Sequence, residues 1–347
     1  MNGFAVVRVL VLSTTSFIIA ILWTPLLTHL LYKYRLGKQI RDEKSAPIFS
    51  KLHAKKAGTP SMGGVLVWVT TAAIAVVLWL AAKCAQGTFA SWSFLSRSQT
   101  LLPLGTLVAS ALVGLVDDYW NVKRIGPRGG GLRMRHRLLM YTAVAAIGAW
   151  WFFIKLGRDS VHFPFVGDLV LGWWYPVFFI FVIVATAFSV NETDGLDGLA
   201  GGTLLAAFAS YGAIAFLQGR YDLATFCGVI VGALLAFLWF NINPARFFMG
   251  DTGAMSLGVT LGIVAMFTSA EFFLPVIGLI FVIESGSVIL QIGSKILRKK
   301  KLFLSSPIHH HLEASGWSEP KIVMRFWVIA AVSSVMGLVL FLLDRSV

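Results

Sequence analysis

The sequence predicts an all-α, polytopic integral membrane protein with about ten transmembrane helices, and composition and long apolar runs are the main evidence. Of 347 residues, 57% are hydrophobic and only 13% are charged, whereas soluble domains contain roughly 25% charged residues. Apolar runs near or above the ~20 residues that cross a hydrocarbon core recur along the whole chain. They leave no room for a separate soluble domain, so we expect one integral-membrane domain over residues 1–347.

Hydropathy and helix breakers place the individual spans. The first apolar run is too long for a signal-peptide core and lacks a small-residue cleavage pattern, so we expect it to remain as an uncleaved span. The predicted spans cover residues 4–31, 62–82, 101–116, 138–156, 172–190, 199–217, 223–240, 254–270, 272–294 and 325–343. Because their number is even, both termini are expected on the same side of the membrane.

The distribution of basic residues predicts the orientation of these spans. Most of the 29 Lys and Arg residues fall in alternate connecting segments, at 32–58, 117–137, 241–253 and 295–325. By the positive-inside rule these segments face the cytoplasm, together with the acidic loop 191–198, and both termini face outward. A formal net charge of +13 that is confined to such loops favours anionic membrane lipids and phosphate-bearing substrates as partners, rather than nucleic acid.

Five carboxylates lie on the loops that are expected to face the cytoplasm. Asp117 and Asp118 end the third predicted span, Asp194 and Asp197 follow in Asn-Glu-Thr-Asp-Gly-Leu-Asp-Gly, and Asp251 stands in Met-Gly-Asp-Thr-Gly. Charge at this depth is costly unless it is paired or bound to metal. The set therefore favours a site for a divalent cation and a phosphorylated substrate. The alternative is that each Asp caps a helix, which explains three loops together less well than one.

Two neighbouring segments allow two interpretations each. Phe247 and Phe248 precede Met-Gly-Asp, and their spacing alone favours apolar anchoring over stacking on a base. The segment 53–64 combines lysines with a turn and small polar residues. It can be a phosphate cradle or an ordinary solvated loop, and the residues do not decide between them.

Histidines 309–311 are a further candidate for chemistry. Three consecutive side chains diverge by ~100° per residue in a helix, so they do not easily close one tetrahedral zinc site. Hydrogen bonding to phosphate and orientation of neighbours suit them better.

Glu284 lies inside the ninth apolar run, where either a functional role or a structural role at a helix break is possible. Cys84 and Cys227 are expected to be inert core thiols, although a disulfide between them is possible.

Five motifs, taken together and in order, resemble those of the phospho-N-acetylmuramoyl-pentapeptide transferase family, within the polyprenyl-phosphate N-acetylhexosamine-1-phosphate transferase superfamily of the glycosyltransferase 4 type. The similarity extends from about Lys51 to Trp327. The histidine motif separates this family from relatives that use UDP-N-acetylglucosamine. The motifs are Lys-Lys-Ala-Gly-Thr-Pro-Ser-Met-Gly-Gly (55–64), Val-Asp-Asp-Tyr (116–119), Asn-Glu-Thr-Asp-Gly-Leu-Asp-Gly-Leu-Ala (191–200), Pro-Ala-Arg-Phe-Phe-Met-Gly-Asp-Thr-Gly (244–253) and Pro-Ile-His-His-His-Leu-Glu (307–313).

The resemblance implies a reaction and a set of partners. It implies a ten-span, homodimeric enzyme of the bacterial cytoplasmic membrane. The enzyme would transfer phospho-N-acetylmuramoyl-pentapeptide from UDP-N-acetylmuramoyl-pentapeptide to undecaprenyl phosphate, with Mg²⁺, and release UMP.

 The active site would face the cytoplasm. The implied catalytic residues are Asp117, Asp118, Asp251 and His310, with Asp251 also the magnesium ligand, and the implied substrate-binding residues are Lys56, Asn191, Asp194, Gly195, Leu196, Asp197, Asn241, Phe248, Gln291, His309 and His311.

The sequence departs from the family pattern in the loop that follows Asp118. The family usually has a Lys three residues after its Asp-Asp pair and another before a Gly-Leu farther along, but Asn121 and Gly130 occupy the nearest positions here. Lys123 or Arg128 can substitute across a short insertion. Arg133, Arg135 and Arg137 also keep the loop basic, so several cations remain candidates for binding the second phosphate.

Three alternatives to this reaction are consistent with parts of the sequence. A relative that transfers N-acetylglucosamine phosphate to the same lipid would share most motifs. An anionic-solute transporter would explain ten spans, although transporter sites usually lie near the bilayer midplane and these charges cluster at one face. A membrane scaffold would leave the five carboxylates unexplained.

Overall fold

The computed structural model describes residues 3–37, 56, 58–84, 88–126 and 131–346. The expectations for His53, Lys55, Arg128 and Gly130 therefore lie outside the described residues. Within the described ranges, ten helices are long and apolar enough to cross a membrane. This confirms the predicted all-α, polytopic fold class.

The helices follow one another with short connections. The helix Met134–Trp150 continues through a π-helical turn to Lys155, and the helices Leu274–Ile277 and Ile308–Ala314 are too short to span the membrane. The helices are α1 (Gly3–Lys33), α2 (Val65–Cys84), α3 (Leu101–Val122), α4 (Met134–Trp150), α5 (Tyr175–Thr193), α6 (Leu199–Leu217), α7 (Tyr221–Asn241), α8 (Gly250–Phe267), α9 (Leu274–Ile277), α10 (Leu279–Arg298), α11 (Ile308–Ala314) and α12 (Glu319–Ser346).

Several helix ends differ from the predicted spans, and charged or breaking residues explain the differences. Helix α3 continues to Val122 instead of ending before Asp117, because both aspartates have partners inside the protein. The predicted ninth span, 272–294, is divided at Gly278, which separates α9 from α10. Helices α8 and α12 begin earlier than predicted, at Gly250 and Glu319, so each carries an acidic residue in its first turn.

Helix α8 lies at the centre of the bundle. In its most apolar stretch of 18 residues, 94% of the residues are buried inside the protein, compared with 28% in the corresponding stretch of α1. Small residues allow this close packing: a Cβ on Gly258 would lie 2.8 Å from the Cα of Ala187 on α5, and one on Gly114 of α3 would lie 2.4 Å from the carbonyl oxygen of Asp251. Because lipid removes most of the hydrophobic drive for helix association, such backbone approach is what holds membrane helices together. Asp251 is thereby fixed against α3.

A short β-hairpin occupies the connection between α4 and α5, where the sequence predicted only a loop. Strand β1 (Ser160–Phe163) pairs antiparallel with β2 (Gly167–Val170), with His162 opposite Asp168. Each strand has four residues, which is too short to give a clear alternating pattern. The hairpin lies at the end of the bundle opposite Asp117, since α4 runs from one end to the other.

The segment before α2 is tied to the segment before α8 by main-chain hydrogen bonds. Phe248 N–H donates to the Pro60 carbonyl at 2.8 Å, Gly63 N–H to the Phe248 carbonyl at 2.7 Å, and Gly64 N–H to the Met249 carbonyl at 2.8 Å. These bonds hold the described part of the 55–64 motif beside the 244–253 motif. Two distant parts of the sequence thus form one wall.

Candidate active site

One guanidinium joins the carboxylates of two spans. Arg137, in the first turn of α4, lies 2.7 Å from Asp117 through Nε and 2.8 Å from Asp251 through a terminal nitrogen. Asn191, near the end of α5, donates its amide to Asp251 at 2.6 Å and accepts from Arg137 at 3.4 Å. The backbone N–H of Leu132 donates to Asp117 at 2.6 Å. Three helices therefore place their charged or polar groups around Arg137.

Asp118 is directed to a different set of partners from its neighbour. Its carboxylate accepts from the Ser61 hydroxyl at 3.2 Å and from the Thr252 N–H at 3.0 Å. The latter is one of the N–H groups that the first turn of a helix leaves without a helical acceptor, and it favours a nearby anion. Asp118 therefore fixes the start of α8, next to Asp251.

Gly250 is needed where α8 begins. Its φ is +74°, which side chains rarely adopt, and a Cβ there would lie 2.6 Å from a carboxylate oxygen of Asp118. Its N–H donates to Asp194 at 3.2 Å. The acidic loop and the aspartate pair therefore meet at this one backbone position.

Asp197 belongs to a second charged cluster, which includes Lys56 and Glu319. The Lys56 ammonium lies 2.7 Å from Asp197 and 2.5 Å from Glu319. Glu319 also accepts from the Asp197 N–H at 2.7 Å, and Asn243 donates to both acids, at 2.9 Å to Asp197 and 3.2 Å to Glu319. This cluster joins the segment before α2, the acidic loop and the first turn of α12.

Asn241 supports the same loop from the end of α7. Its side-chain oxygen accepts from the Gly198 N–H at 2.9 Å, and its amide donates to the Phe247 carbonyl at 2.8 Å. The Leu196 side chain is buried in an apolar cluster with Ile322 and Val323 of α12. Both residues thus position the loop backbone through contacts within the protein.

The structure separates the two phenylalanines that the sequence treated together. Phe247 is fully buried and contacts Phe237 and Phe240 of α7. Phe248 is only half-buried, and the Lys56 ammonium lies 5.8 Å from its ring centroid. Anchoring therefore describes Phe247, while Phe248 lies beside the Lys56 cluster.

The first histidine of the triplet is paired inside the protein. His309 Nδ1 lies 2.8 Å from a carboxylate oxygen of Glu284, and both side chains are fully buried. The opposite edge of the ring packs against Gly195, where a Cβ would lie 2.1 Å from Nε2. Glu284 thus contacts a histidine of α11, and through it supports the acidic loop, instead of bonding backbone groups freed by a helix break.

The other two histidines and Gln291 stabilise the segment around α11. His310 Nδ1 lies 2.7 Å from Glu313, one turn along α11. His311 accepts from the Leu304 N–H at 3.2 Å. The side-chain oxygen of Gln291 accepts from the N–H groups of Leu302 and Phe303, each at 2.9 Å, and its amide donates to the Phe303 carbonyl at 3.1 Å. Gln291 therefore holds the 302–303 backbone against α10.

Comparisons with known proteins identify the family. A model described as "Glycosyl transferase family 4" matches residues 100–269, and one described as "Phospho-N-acetylmuramoyl-pentapeptide-transferase signature 1" matches residues 56–66. A phospho-N-acetylmuramoyl-pentapeptide-transferase of Geobacillus thermodenitrificans is 38% identical over 331 residues, 95% of this chain and 97% of that protein. This chain belongs to the phospho-N-acetylmuramoyl-pentapeptide-transferase family. Similar relatives occur in Listeria welshimeri, 38% identical over 93% of this chain and 94% of that protein, and in Chloroflexus aggregans, 36% identical over 98% and 91%.

Membership of this family makes the departure after Asp118 more informative. Asn121 packs beside Gly131, and the Lys123 ammonium lies 5.9 Å from the Tyr119 ring centroid. Arg137 makes the ion pairs to Asp117 and Asp251. The sequence marked Arg137 only as one of three basic residues, because nothing in its spacing links it to carboxylates on α3 and α8.

Glu319 and Asn243 are further site residues that sequence reasoning missed. Glu319 falls in the stretch that the sequence treats as a loop before the last span, but its carboxylate has close contacts with Lys56 and Asp197. One signal was available: an acidic residue just before Pro320 is typical of a helix start. Both cysteines are free thiols, so the possible disulfide between them is not formed. Cys227 is buried, as a core thiol should be, but Cys84 is exposed, so the prediction of a core position is wrong for Cys84.

The donor set around Arg137 fits Mg²⁺. Asp117 and Asp251 supply hard carboxylate oxygens that converge on one cationic group. Among the described residues, no three His, Cys, Asp or Glu side chains form a group able to enclose a metal ion. Mg²⁺ usually takes only one or two carboxylates and completes its shell with waters and substrate phosphates. The arrangement therefore suits a metal that binds together with a phosphorylated substrate.

Proposed function

We propose that this protein transfers phospho-N-acetylmuramoyl-pentapeptide from its UDP carrier to undecaprenyl phosphate and releases UMP. The observation that carries the proposal is that the five motif segments meet at one end of the bundle. There the Asp117–Arg137–Asp251 cluster is linked through Asn191, Asp194 and Gly250 to the Lys56–Asp197–Glu319 cluster. One cluster provides metal-binding oxygens, and the other surrounds a half-exposed aromatic ring.

We place the UDP part of the donor at the second cluster. Phe248 would stack on the uracil, as base-stacking aromatic residues do in nucleotide sites. Asn191, Gly195, Leu196, Asp197 and Asn241 would shape the surrounding loop, and Lys56 would approach the phosphates or sugar. Gln291, His309, His310 and His311 would border the donor pocket from α10 and α11, with His310 nearest the phosphate chemistry.

We assign Mg²⁺ to Asp251, with Asp117 beside it. When bound, the metal would neutralise charge on the donor pyrophosphate and stabilise the UMP leaving group. Asp117 and Asp118 would orient the acceptor phosphate and fix the start of α8. A phosphate monoester has a second pKa of about 6 and is mostly dianionic near neutrality, so it needs no general base to attack the donor directly.

Transfer of radiolabel in detergent tests the proposed reaction. The full chain is incubated with Mg²⁺, undecaprenyl phosphate and UDP-N-acetylmuramoyl-pentapeptide labelled in the sugar, and lipid-linked label is measured. We expect magnesium-dependent transfer that excess unlabelled UDP-N-acetylglucosamine does not reduce. Competition by UDP-N-acetylglucosamine, or transfer of its own sugar, would replace the assignment with the N-acetylglucosamine reaction. Absence of both transfers would remove the enzyme assignment.

Isotope exchange tests direct attack. Labelled UMP is incubated with the UDP donor and the protein in the absence of any lipid phosphate. We expect no label in the donor, because direct transfer needs both substrates. Robust exchange would show a covalent enzyme intermediate and exclude the direct route.

We further propose that the site faces the cytoplasm, that both termini lie outside and that the protein forms a homodimer. The positive-inside rule supports the orientation, and the resemblance supports the dimer. Labelling of single introduced cysteines in intact cells and in inverted vesicles would test the orientation. Light scattering of the detergent-solubilised chain would test the dimer, and a monomeric mass would contradict it.

A further inference from the structure

Arg137 lies between the carboxylates of Asp117 and Asp251, at the place assigned to the metal ion. It contacts Asp117 Oδ2 through Nε at 2.7 Å and Asp251 Oδ2 through a terminal nitrogen at 2.8 Å. The remaining terminal nitrogen reaches Asn191 at 3.4 Å. All three guanidinium nitrogens therefore face the cluster, and only 20% of the side chain is exposed.

This geometry makes Arg137 a counter-ion for a costly pair of charges. Asp117 is 4% exposed and Asp251 is 15% exposed as side chains. Two carboxylates that approach each other with little solvent repel unless a cation separates them. A guanidinium can serve both at once, because its donors form a fixed planar fork.

A divalent cation would need the same oxygens. The Oδ2 atoms of Asp117 and Asp251 lie 2.7 Å and 2.8 Å from nitrogens of Arg137, so a metal ion that binds either oxygen must displace the guanidinium from it. We propose that Arg137 is a built-in competitor for the metal site. It sets the metal affinity of the two carboxylates, and when displaced it is the cation closest to the incoming phosphates.

This inference deepens the proposed function and rests on it for the identities of the metal and the phosphates. Its first part concerns only the protein's own side chains and a divalent cation. That part can be tested without any substrate, so its failure is distinguishable from failure of the transferase assignment.

The same helix turn provides a matched control. Arg135 has the same charge and lies two residues before Arg137, but its side chain is exposed. Replacing Arg135 by Gln removes one positive charge from the same end of α4 without touching the carboxylates. R135Q therefore measures how the loss of one exposed positive charge from this end of α4 affects metal binding.

Mg²⁺ titration followed by thermal unfolding tests the competition. The detergent-solubilised full chain, R137Q, R137K and R135Q are each titrated with MgCl₂ in the absence of nucleotide and lipid. Without metal, we expect R137Q to unfold at a lower temperature than R135Q. With metal, we expect R137Q to reach half-maximal stabilisation at an Mg²⁺ concentration about tenfold lower than the concentration that R135Q requires. A charge-assisted contact changes an equilibrium constant by roughly that factor. R137K, with one point charge, should lie between R137Q and the unsubstituted chain.

The outcomes are distinguishable from a purely structural role. If R137Q needs as much Mg²⁺ as R135Q, or more, Arg137 does not compete with metal and the proposal is wrong. If R137Q does not unfold cooperatively, the same titration of R137K tests the proposal. The proposal is overturned if R137K needs as much Mg²⁺ as the unsubstituted chain, or more. Loss of transfer in R137Q alone, without the change in metal requirement, also counts against it.

Discussion

At one end of the bundle, the carboxylates of the buried Asp117 and the partly buried Asp251 share a single guanidinium, whereas at the other end His162 joins the exposed Asp168 to Asp344. The His162 ring nitrogens lie 2.7 Å and 2.8 Å from these acids. Asp168 is 73% exposed and Asp117 is 4% exposed. Water can replace Asp168 as a partner of His162, whereas Asp344 is only 2% exposed but keeps a second partner, the Phe165 N–H at 2.6 Å. At the other end each lost partner leaves a buried charge, so that end responds strongly to a ligand.

The same contrast applies within the site itself. The Glu284–His309 pair is fully buried and connects α10 to α11, while the Lys56–Glu319 pair retains partial exposure of 19% and 13%. The first pair is suited to a fixed support. The second is suited to a group that exchanges protein partners for substrate. Substitutions in the two pairs should therefore differ in the size and the kind of their effects.

Substitution of Asp251 should have the largest effect. Asp251→Asn keeps the hydrogen bond from Asn191 but removes the charge that would hold the metal. We expect transfer to fall by about 10³-fold, while binding of the UDP donor changes little. Transfer is measured with labelled donor, and donor binding by thermal shift.

Asp168→Asn is the matched control, since it removes a carboxylate from the opposite end of the bundle. It should leave transfer unchanged. Magnesium-dependent turnover retained in D251N would remove Asp251 from the metal site. An equal loss in D168N would show that the two ends do not differ as the contacts imply.

Loss of the buried acid at Glu284 should mainly affect stability. Glu284→Ala leaves the fully buried His309 without its hydrogen-bond partner, and a buried polar group left without a partner costs about 1–3 kcal/mol. We expect a marked fall in the thermal unfolding midpoint, partly restored in Glu284→Gln, which keeps a polar acceptor.

Glu313 provides the comparison for Glu284. It pairs with His310, whose side chain is 14% exposed, so Glu313→Gln should lower the midpoint less than Glu284→Ala. An equal fall in both variants would show that burial does not determine the cost. No fall in E284A would show that the pair contributes nothing to the support of the acidic loop.

Glu319→Gln should affect donor affinity more than turnover. Glu319 accepts from the Asp197 N–H and contacts Lys56, so its charge orders the loop that would surround the uridine. We expect KM for the UDP donor to rise about fivefold with a smaller change in kcat, since the loss affects binding before the chemical step. Steady-state kinetics checks this.

The exposed Lys321, two residues along the same helix, supplies the control for Glu319. Lys321→Gln should leave KM within about twofold of the unsubstituted value, as most surface changes do. A fall in kcat at unchanged KM in E319Q would contradict a role in ordering the donor loop.

The sequence was sufficient for the spans but not for the partners of the charged residues. Hydropathy located all ten spans, because each apolar run carries its own signal. The ends were less accurate wherever a charged side chain is buried inside a helix, as Asp117 and Asp118 are at the end of α3. A sequence pattern shows that a carboxylate is present, but it does not show the guanidinium on another helix that neutralises it.

The candidate site follows the same division. The motifs predicted which segments carry chemistry, and the structure brings the described parts of all five segments together. Arg137 and Glu319 could not be found in this way, because their importance comes from contacts across the fold. The β-hairpin was missed because its strands are only four residues each.

The smallest effect is expected at the hairpin end, from His162→Gln. Burial lowers the pKa of His162, but the hydrogen bonds to Asp168 and Asp344 outweigh it and raise the pKa above its ordinary value of 6.5. The folded protein therefore binds this proton more tightly than the unfolded chain does. The resulting stabilisation is fully present below pH 6.5 and is lost as the pH rises through the higher, folded-state pKa. We expect the unfolding midpoints of the unsubstituted chain and H162Q to differ by about 1–2 °C at pH 5.5–6 and to converge at alkaline pH.

Burial also raises the pKa of nearby Glu271 to about 7, but this group is present in both chains, so the difference between their midpoints isolates His162. A difference that grew with pH would show that neutral, not charged, His162 holds the hairpin.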